Sequence, residues 1–246
     1  MCRAAATSST RYRPWSDPVK ETSKSVARRA RTPEFITRYL VGQGLDIGGA
    51  ADPLALYGEL FPSITATKVW DVADGDLQHL TGLADASFDF VHATFVLQKM
   101  ASPVEALRHW LRVLKPGGHM VVLVPDEDMY EQGYWPSRHN PEHRWTFTLF
   151  KPKSWSPVSV NLLEALPSLG IQADIRRIEA LDGSFRHRLP RFDQTLTPVG
   201  EAAIEFVIRK RPQPEAVAGG RLAAEAPLTP RDVFLLTGLR IEPQKG

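Results

Sequence analysis

The stretch "KPGGHMVVLVP", Lys115 to Pro125, decides the fold class. Its Pro-Gly-Gly segment ends a helix and turns the chain. Met120 to Val124 then form a nearly continuous apolar run. Such a run is typical of a parallel strand covered by helices on both faces. The stretch therefore predicts a buried central strand of an α/β sheet.

Helices and strands alternate on the N-terminal side of this strand. The predicted elements are a helical region from Pro18 to about Leu40 broken at Pro33, a strand at Leu45–Ile47, a short helix at 53–61, strands at 66–72 and 87–95, and a helix at 102–114. Ser102 and Glu105 predict a capping box at the start of that last helix. Strands that alternate with helices predict right-handed crossovers in a doubly wound sheet.

The sequence that follows this strand predicts a different strand arrangement at one edge of the sheet. A helix at 158–170 precedes two apolar segments, 171–181 and 202–211, joined by a polar, Arg-rich loop. This arrangement favours an antiparallel strand pair. We therefore predict a Rossmann-like, doubly wound, mostly parallel sheet with an antiparallel C-terminal edge hairpin.

Composition predicts one domain with tails. We assign residues 1–18 to a disordered basic leader, 19–211 to the folded domain and 212–246 to a Pro/Ala-rich tail. Within the tail, "RDVFLLTGLRI" (231–241) is apolar enough to dock. The acid-free start of the chain also resembles an organellar transit peptide, although a disordered leader is the favoured interpretation.

Charge and cysteine content exclude several classes of protein. A net charge of +2 gives no argument for nucleic acid binding, although residues 1–40 hold nine basic residues against three acidic ones. No apolar run approaches the roughly 18 residues of a membrane span. Cys2 is the only cysteine, so an internal disulfide is excluded and a reducing, cytoplasmic location is predicted. The sequence does not indicate the oligomeric state.

The predicted ligand site lies where the parallel strands end, because open α/β sheets bind ligands at that edge. The first strand ends in Asp46, followed by Gly48 and Gly49, which allow a ligand to approach the backbone. The second strand ends at Asp71, which is placed to accept hydrogen bonds from a ribose diol; a turn acid unrelated to any ligand is the alternative. Dinucleotide sites require G-x-G-x-x-G, and its absence disfavours a nicotinamide-dependent oxidoreductase. An acid before the glycines suits a ligand with an ammonium group, as in S-adenosylmethionine.

The chain resembles the class I S-adenosylmethionine-dependent methyltransferases, particularly bacterial members with the methyltransferase type 11 domain. The resemblance runs from about Gly42 to Pro125 and more loosely to Lys210. Its motifs are "GLDIGGAADP", "DGDLQHL", "SFDFVHATFVL" and, as the most specific, "LRVLKPGGHMVVLVPDED".

The resemblance implies roles for eight residues. Asp46, Gly48 and Gly49 would hold the methionine end of the cofactor, and Asp71 the ribose. Asp76 and Leu77 would flank the adenine, and Thr94 and Phe95 would line the floor beneath the methyl group. Asp46 and Asp89 are closer in sequence than the family usually has them, which indicates a shortened helix and strand. Asp71 and Asp76 could therefore share or exchange the ribose and adenine roles.

The tetrapeptide "LQKM", Leu97 to Met100, departs from the family. Many relatives carry Glu-His where this chain has Gln98 and Lys99. Three interpretations stay open: these residues shape a different substrate pocket, the base lies in the loop that follows the strand Met120–Val124, or catalysis is impaired. If a base exists, His143 or His139 is the candidate, because a neutral-range base near the acceptor speeds methyl transfer to an alcohol.

The same loop raises two further alternatives. Asp126, Asp128, His139 and His143 are suitable metal ligands, but their spacing matches no known pattern, so we predict no metal. Arg138 and Arg144 could instead bind a phosphate or carboxylate of the substrate.

We therefore predict a methyltransferase that uses S-adenosylmethionine to methylate an oxygen, or less favourably a nitrogen, of a small molecule or glycan precursor. A cofactor-binding pseudoenzyme or partner subunit is the non-enzymatic alternative.

Overall fold

The computed structural model describes residues 20–197 and 199–220. Eight strands are present there: β1 (Gly42–Ile47), β2 (Ile64–Trp70), β3 (Phe88–Thr94), β4 (Leu114–Pro125), β5 (Thr146–Thr148), β6 (Ser159–Asn161), β7 (Ala173–Leu181) and β8 (Ala203–Lys210). Six of them form a sheet with the order β2-β1-β3-β4-β8-β7. Strands β2, β1, β3 and β4 are parallel, whereas β8 is antiparallel to both β4 and β7. The predicted fold class, with its antiparallel edge, is confirmed.

Helices cover both faces of this sheet. The α-helices are α1 (Glu21–Arg29), α2 (Pro103–Val113), α3 (Leu162–Ala165) and α4 (Gln213–Val217). On one face α2 packs Trp110 and Leu107 on apolar residues of β3 and β4. On the other face lie Val26 of α1 and a π-helical segment, Phe35–Tyr39. This second face also carries polar side chains near the carboxyl ends of the strands.

Three local predictions needed correction. The capping box forms only in part: Ser102 Oγ accepts from Glu105 N–H at 3.4 Å, but Ser102 N–H donates to Gln78. Residues 158–170 do not form one helix, because the chain first pairs as β6 with β5 before it enters α3 and a 3-10 turn, Pro167–Leu169. The helix predicted at 53–61 is a 3-10 segment, Leu54–Leu60.

The connection from β2 to β3 is short. Residues 71–87 contain only turns and bends, so this part of the described chain has neither helix nor strand. The shortening expected from the spacing of Asp46 and Asp89 is therefore confirmed, and β2 is the edge strand of the sheet.

The predicted leader and most of the predicted tail, with its segment 231–241, lie outside the described residues. No helix within 20–197 or 199–220 combines the length and hydrophobicity that crossing a bilayer requires.

Candidate active site

A cavity of about 1010 Å³ opens at the carboxyl ends of β1, β2 and β3. This is the edge at which an open α/β sheet binds its ligand. The eight residues proposed for cofactor binding all line it: Asp46, Gly48, Gly49, Asp71, Asp76, Leu77, Thr94 and Phe95. The structure thus gathers into one site residues that are spread over fifty positions of the sequence.

The glycine turn after β1 is required by the packing of the protein itself. Gly48 has φ of +66°, and a Cβ there would lie 2.6 Å from a methyl group of Val96. A Cβ at Gly49 would overlap with the Asp46 carboxylate. The sequence suggested that these glycines make room for a ligand. In the structure they already make room for Val96 and Asp46.

We expect Gly49→Ala to weaken cofactor binding and to destabilise the fold by about 1–3 kcal/mol, because the added methyl group displaces the Asp46 carboxylate. Gly58→Ala is the matched control, since a Cβ at Gly58 meets nothing within 4 Å. Thermal unfolding and cofactor titration of both variants test this. Equal behaviour of the two variants would contradict it.

Asp46 is buried and holds the floor of the turn. Its Oδ2 accepts from Leu54 N–H at 2.8 Å, and its Oδ1 lies 2.6 Å from His92 Nδ1. Arg29 Nη1 lies 2.8 Å from His92 Nε2. Because arginine can only donate, His92 is neutral, with its proton on Nδ1 donated to Asp46. Leu54 and His92 therefore fix the Asp46 carboxylate in one position, from which it presents its charge to the cavity.

Asp71 links the end of β2 to the glycine turn. Its Oδ2 accepts from Ala50 N–H at 3.0 Å, and its Oδ1 accepts from Val72 N–H at 2.7 Å. Each carboxylate oxygen has more than one lone pair. Both oxygens can therefore still accept a hydroxyl group of a ligand.

Asp76 lies on the same wall but is paired differently. Its carboxylate contacts His79 Nδ1 and accepts from Gln78 N–H at 2.8 Å. Desolvation acts to raise the pKa of Asp76, but the hydrogen bonds from His79 and Gln78 outweigh it, so the pKa lies below its usual range. Asp76 is accordingly an acceptor at neutral pH.

The floor after β3 has an unusual backbone. Phe95 has φ of +55°, in a region that non-glycine residues rarely adopt. Its N–H donates to Leu123 O at 2.9 Å, and its ring packs edge-on against Tyr130 at 5.5 Å. Strand β4 and Tyr130 thus hold Phe95 in the cavity wall.

The tetrapeptide 97–100 forms part of the cavity and supports the loop above it. The Gln98 side chain is fully buried, and its backbone oxygen accepts from Arg144 N–H at 2.8 Å. Lys99 lines the cavity and pairs with Glu142 at 2.7 Å. Lys99 therefore contributes to the cavity wall, whereas Gln98 supports the loop beside it, and the position of Lys99 supports the first of the three interpretations.

The two histidines proposed as bases do not line this cavity. His143 is buried, with Nδ1 2.6 Å from Glu131 Oε1 and Nε2 3.3 Å from Gln98 Nε2. His139 packs on Tyr130 at 5.6 Å between ring centres. The base role of His139 and His143 stays a prediction. Because His143 is buried and both of its ring nitrogens contact polar side chains, its surroundings argue for a role in positioning the loop instead.

Metal binding gains no support in the described part of the chain. No three His, Cys, Asp or Glu side chains come close enough together there to hold an ion.

Sequence reasoning missed the contribution of α1 to the cavity. Glu21 and Thr22 of its first turn line the wall, together with Asp52 from the segment after the glycine turn. Asp52 Oδ2 accepts from Ser23 N–H at 2.8 Å, which fixes the start of α1 to that segment. The only signal was the position of Glu21 at the start of a predicted helix, and that position is ordinary for an acid.

Comparison with known proteins adds a family and a fold. A family model described as a methyltransferase domain matches residues 59–122. Among curated proteins, none matches the sequence. The solved complex between the Haloferax volcanii Trm112 methyltransferase activator and a methyltransferase contains a chain that is 12% identical, with 78% of this chain and 91% of that chain covered and a TM-score of 0.50.

Two further solved structures have a weaker overall similarity. A Bacillus halodurans methyltransferase is 10% identical over 76% of this chain and 100% of that chain, with a TM-score of 0.48. An S-adenosylmethionine-dependent methyltransferase from Archaeoglobus fulgidus is 14% identical over 75% and 93%, with a TM-score of 0.49. At such identities structural likeness concerns the fold alone. The match over residues 59–122 identifies a methyltransferase domain in this chain, which supports an enzyme that takes S-adenosylmethionine as its cofactor.

Proposed function

We propose that this enzyme methylates an oxygen atom of a small hydroxylated molecule or glycan precursor. The observation that carries the proposal is the polar lining of the cavity. Besides the eight proposed cofactor residues, the lining includes Lys99, Asn140, Glu142 and Arg144. A lining that offers both hydrogen-bond donors and acceptors suits an acceptor with several hydroxyl groups. A cavity of about 1010 Å³ is at the upper end for one ligand, so it has room for cofactor and acceptor together.

The cavity also fits the cofactor in this proposal. The turn Gly48-Gly49 above the buried charge of Asp46 would receive the methionine end. Asp71 would accept from the ribose hydroxyls, and Asp76 and Leu77 would flank the adenine. S-adenosylmethionine supplies a methyl group already activated on a sulfonium. The chain itself has to hold the acceptor in line with that methyl group, which is the main source of rate in such reactions.

The floor residues would set that alignment. The backbone bond of Phe95 to Leu123 and its ring contact with Tyr130 would keep the ring beneath the methyl group. Arg144 has an exposed side chain at the mouth of the cavity and would attract an anionic group on the acceptor. We keep a cytoplasmic location as part of this proposal, because Cys2 is the only cysteine.

The proposal is tested by methyl transfer from radiolabelled S-adenosylmethionine to a set of nucleotide sugars, free sugars and phenols. The same set with an amino group in place of one hydroxyl is the comparison. We expect an O-methyl product, identified by mass spectrometry and by the methyl chemical shift. Transfer only to the amines would overturn the oxygen preference.

A further inference from the structure

Glu21 is a buried acid in the cavity wall, and one of its oxygens has no partner among the described residues. The residue is 3% exposed and lines the cavity. Its Oε1 accepts from Lys24 Nζ at 2.7 Å. Its Oε2 is buried and has no hydrogen-bond partner in the described chain. Buried polar atoms are nearly always bonded, so an unpaired carboxylate oxygen at a ligand cavity points to a group that arrives with the ligand.

Helix α1 holds this carboxylate in a fixed position. Ser23 N–H bonds Asp52, as described above, and Lys24 also contacts Thr195 O. Further along the helix, Arg28 bonds Glu201 and Glu205. These bonds tie α1 both to the segment after the glycine turn and to β8. Glu21 is therefore presented from a rigid element.

The surroundings of Glu21 also tune its proton affinity. Burial raises its pKa from the ordinary 4.5 to about 7, against the opposing effect of Lys24 on the same helix. The other charged groups that act on it are Asp193 and Glu201, from the segment between β7 and β8, and both raise its pKa. A carboxyl group with a pKa close to the working pH is suited to take up a proton during a reaction.

Glu21 lines the same cavity as Phe95. Burial raises the pKa of Tyr130, and the charges of Asp193 and Glu21 raise it further. The Tyr130 ring packs on Phe95 at 5.5 Å. Phe95 is the residue proposed to line the floor beneath the methyl group.

We propose that Glu21 is the catalytic base, whose Oε2 takes the proton of the acceptor hydroxyl while Lys24 holds Oε1. As the acceptor oxygen bonds to the methyl carbon, the sulfur–methyl bond breaks and the sulfonium becomes a neutral thioether. The hydroxyl proton moves to Glu21, which becomes a neutral acid and later loses the proton to water. This inference rests on the proposed function, since an alcohol needs such a base.

The test compares S-adenosylmethionine with S-adenosylhomocysteine, which lacks only the methyl group and the sulfonium charge. Calorimetric titrations of the full chain at pH 7, in buffers of different ionisation enthalpy, give the protons released with each ligand. A base beside the sulfonium loses protons when the positive ligand binds. We expect S-adenosylmethionine to release up to about half a proton more than S-adenosylhomocysteine.

Glu21→Gln should abolish this difference and leave the affinity for S-adenosylhomocysteine within about twofold. Glu34→Gln, an exposed acid outside the cavity, should keep the difference. Equal proton release with both ligands, together with loss of affinity for both in Glu21→Gln, would show instead that Glu21 binds the common ammonium group and would overturn the proposal. Equal release with unchanged affinities would overturn it as well.

Stability against pH gives a second readout and shows whether the variant folds. Because the folded-state pKa of Glu21 is raised, its contribution to stability is fully present below about pH 4.5 and is lost as the pH rises through about 7. The difference in the free energy of unfolding between the wild type and Glu21→Gln should change with pH in this way. A difference that does not depend on pH would contradict a raised pKa of Glu21. Neither experiment contains an acceptor. If only amines were methylated, the proposed oxygen preference would be wrong, but the proton-release and stability results for Glu21 would still stand.

Discussion

Replacing Glu205 by Gln should destabilise the protein by about 3–5 kcal/mol, because it leaves a buried arginine without its counter-charge. Glu205 lies in β8 and is fully buried. It accepts from Arg29 Nε at 2.7 Å and from Arg28 Nη1 at 2.7 Å. A Gln amide would turn donor hydrogens toward one of these guanidinium groups. Arg29 is itself fully buried, so water cannot replace the lost charge.

The measurement is urea unfolding at pH 7 of Glu205→Gln beside Glu179→Gln. Glu179 is paired with Glu205 in the register of β7 and β8 and bonds Arg177, but its side chain is 38% exposed. Exposed pairs of this kind contribute about 0–1 kcal/mol. A loss of less than about 1 kcal/mol in both variants would mean that the buried pairs do not stabilise the fold.

The Glu205 carboxylate also predicts that the protein loses stability in acid. Desolvation acts to raise the pKa of Glu205, but Arg29 and Arg28 outweigh it and lower the pKa to about 2. With a lowered folded-state pKa, the stabilisation is present above about pH 4.5 and disappears as the pH falls through about 2. Glu205→Gln should therefore lose less stability than the wild type between pH 5 and pH 2.

This network also connects the fold to the site. Arg29 bonds Glu205 on one side and His92 on the other, and His92 in turn holds Asp46. The position of the acid below the glycine turn thus depends on a helix that comes before the first strand. The cofactor affinity of Glu205→Gln would report how strongly the Arg29–Glu205 pair is coupled to the position of Asp46.

The sequence predicted the parts of the fold whose residues act locally. The apolar runs at 120–124 and 202–208 are strands, and Pro33 separates α1 from the π-helical segment. Asp46, Gly48, Gly49 and Asp71 were proposed as ligand residues because they follow strands, and strand ends in a parallel sheet share one edge. Asp76, Leu77, Thr94 and Phe95 were proposed only because the resemblance to the methyltransferase family implies them. All eight line one cavity.

What the sequence could not supply were contacts between distant segments. Glu205 stands in an apolar strand, and this position alone hinted at a buried partner, but nothing identified Arg28 and Arg29, more than 170 positions away. Glu21 resembled a solvated residue at the start of a helix until α1 was seen to lie over the cavity. Strands β5 and β6 have three residues each, too few for a periodic pattern.

Asp71→Ala should weaken the binding of S-adenosylmethionine and of S-adenosylhomocysteine by about 10- to 100-fold, because both carry the ribose that Asp71 is proposed to hold. Hydrogen bonds to a charged group contribute roughly 1.5–3 kcal/mol, and 1.4 kcal/mol is a factor of ten in affinity. Asp85→Ala is the control, since Asp85 pairs with Arg112 on the surface, with 74% of its side chain exposed. Calorimetric titration of both variants measures the effect.

A second ligand separates a ribose contact from an indirect effect through Ala50, whose N–H bonds Asp71. The 2′-deoxy form of S-adenosylhomocysteine should bind the wild type less tightly than the parent compound. In Asp71→Ala the two ligands should bind equally, because the partner of the missing hydroxyl is gone. If the variant still distinguishes them by the wild-type factor, Asp71 supports only the glycine turn. Asp76, on the same wall of the cavity, would then take the ribose role, as the short connection between β2 and β3 allows.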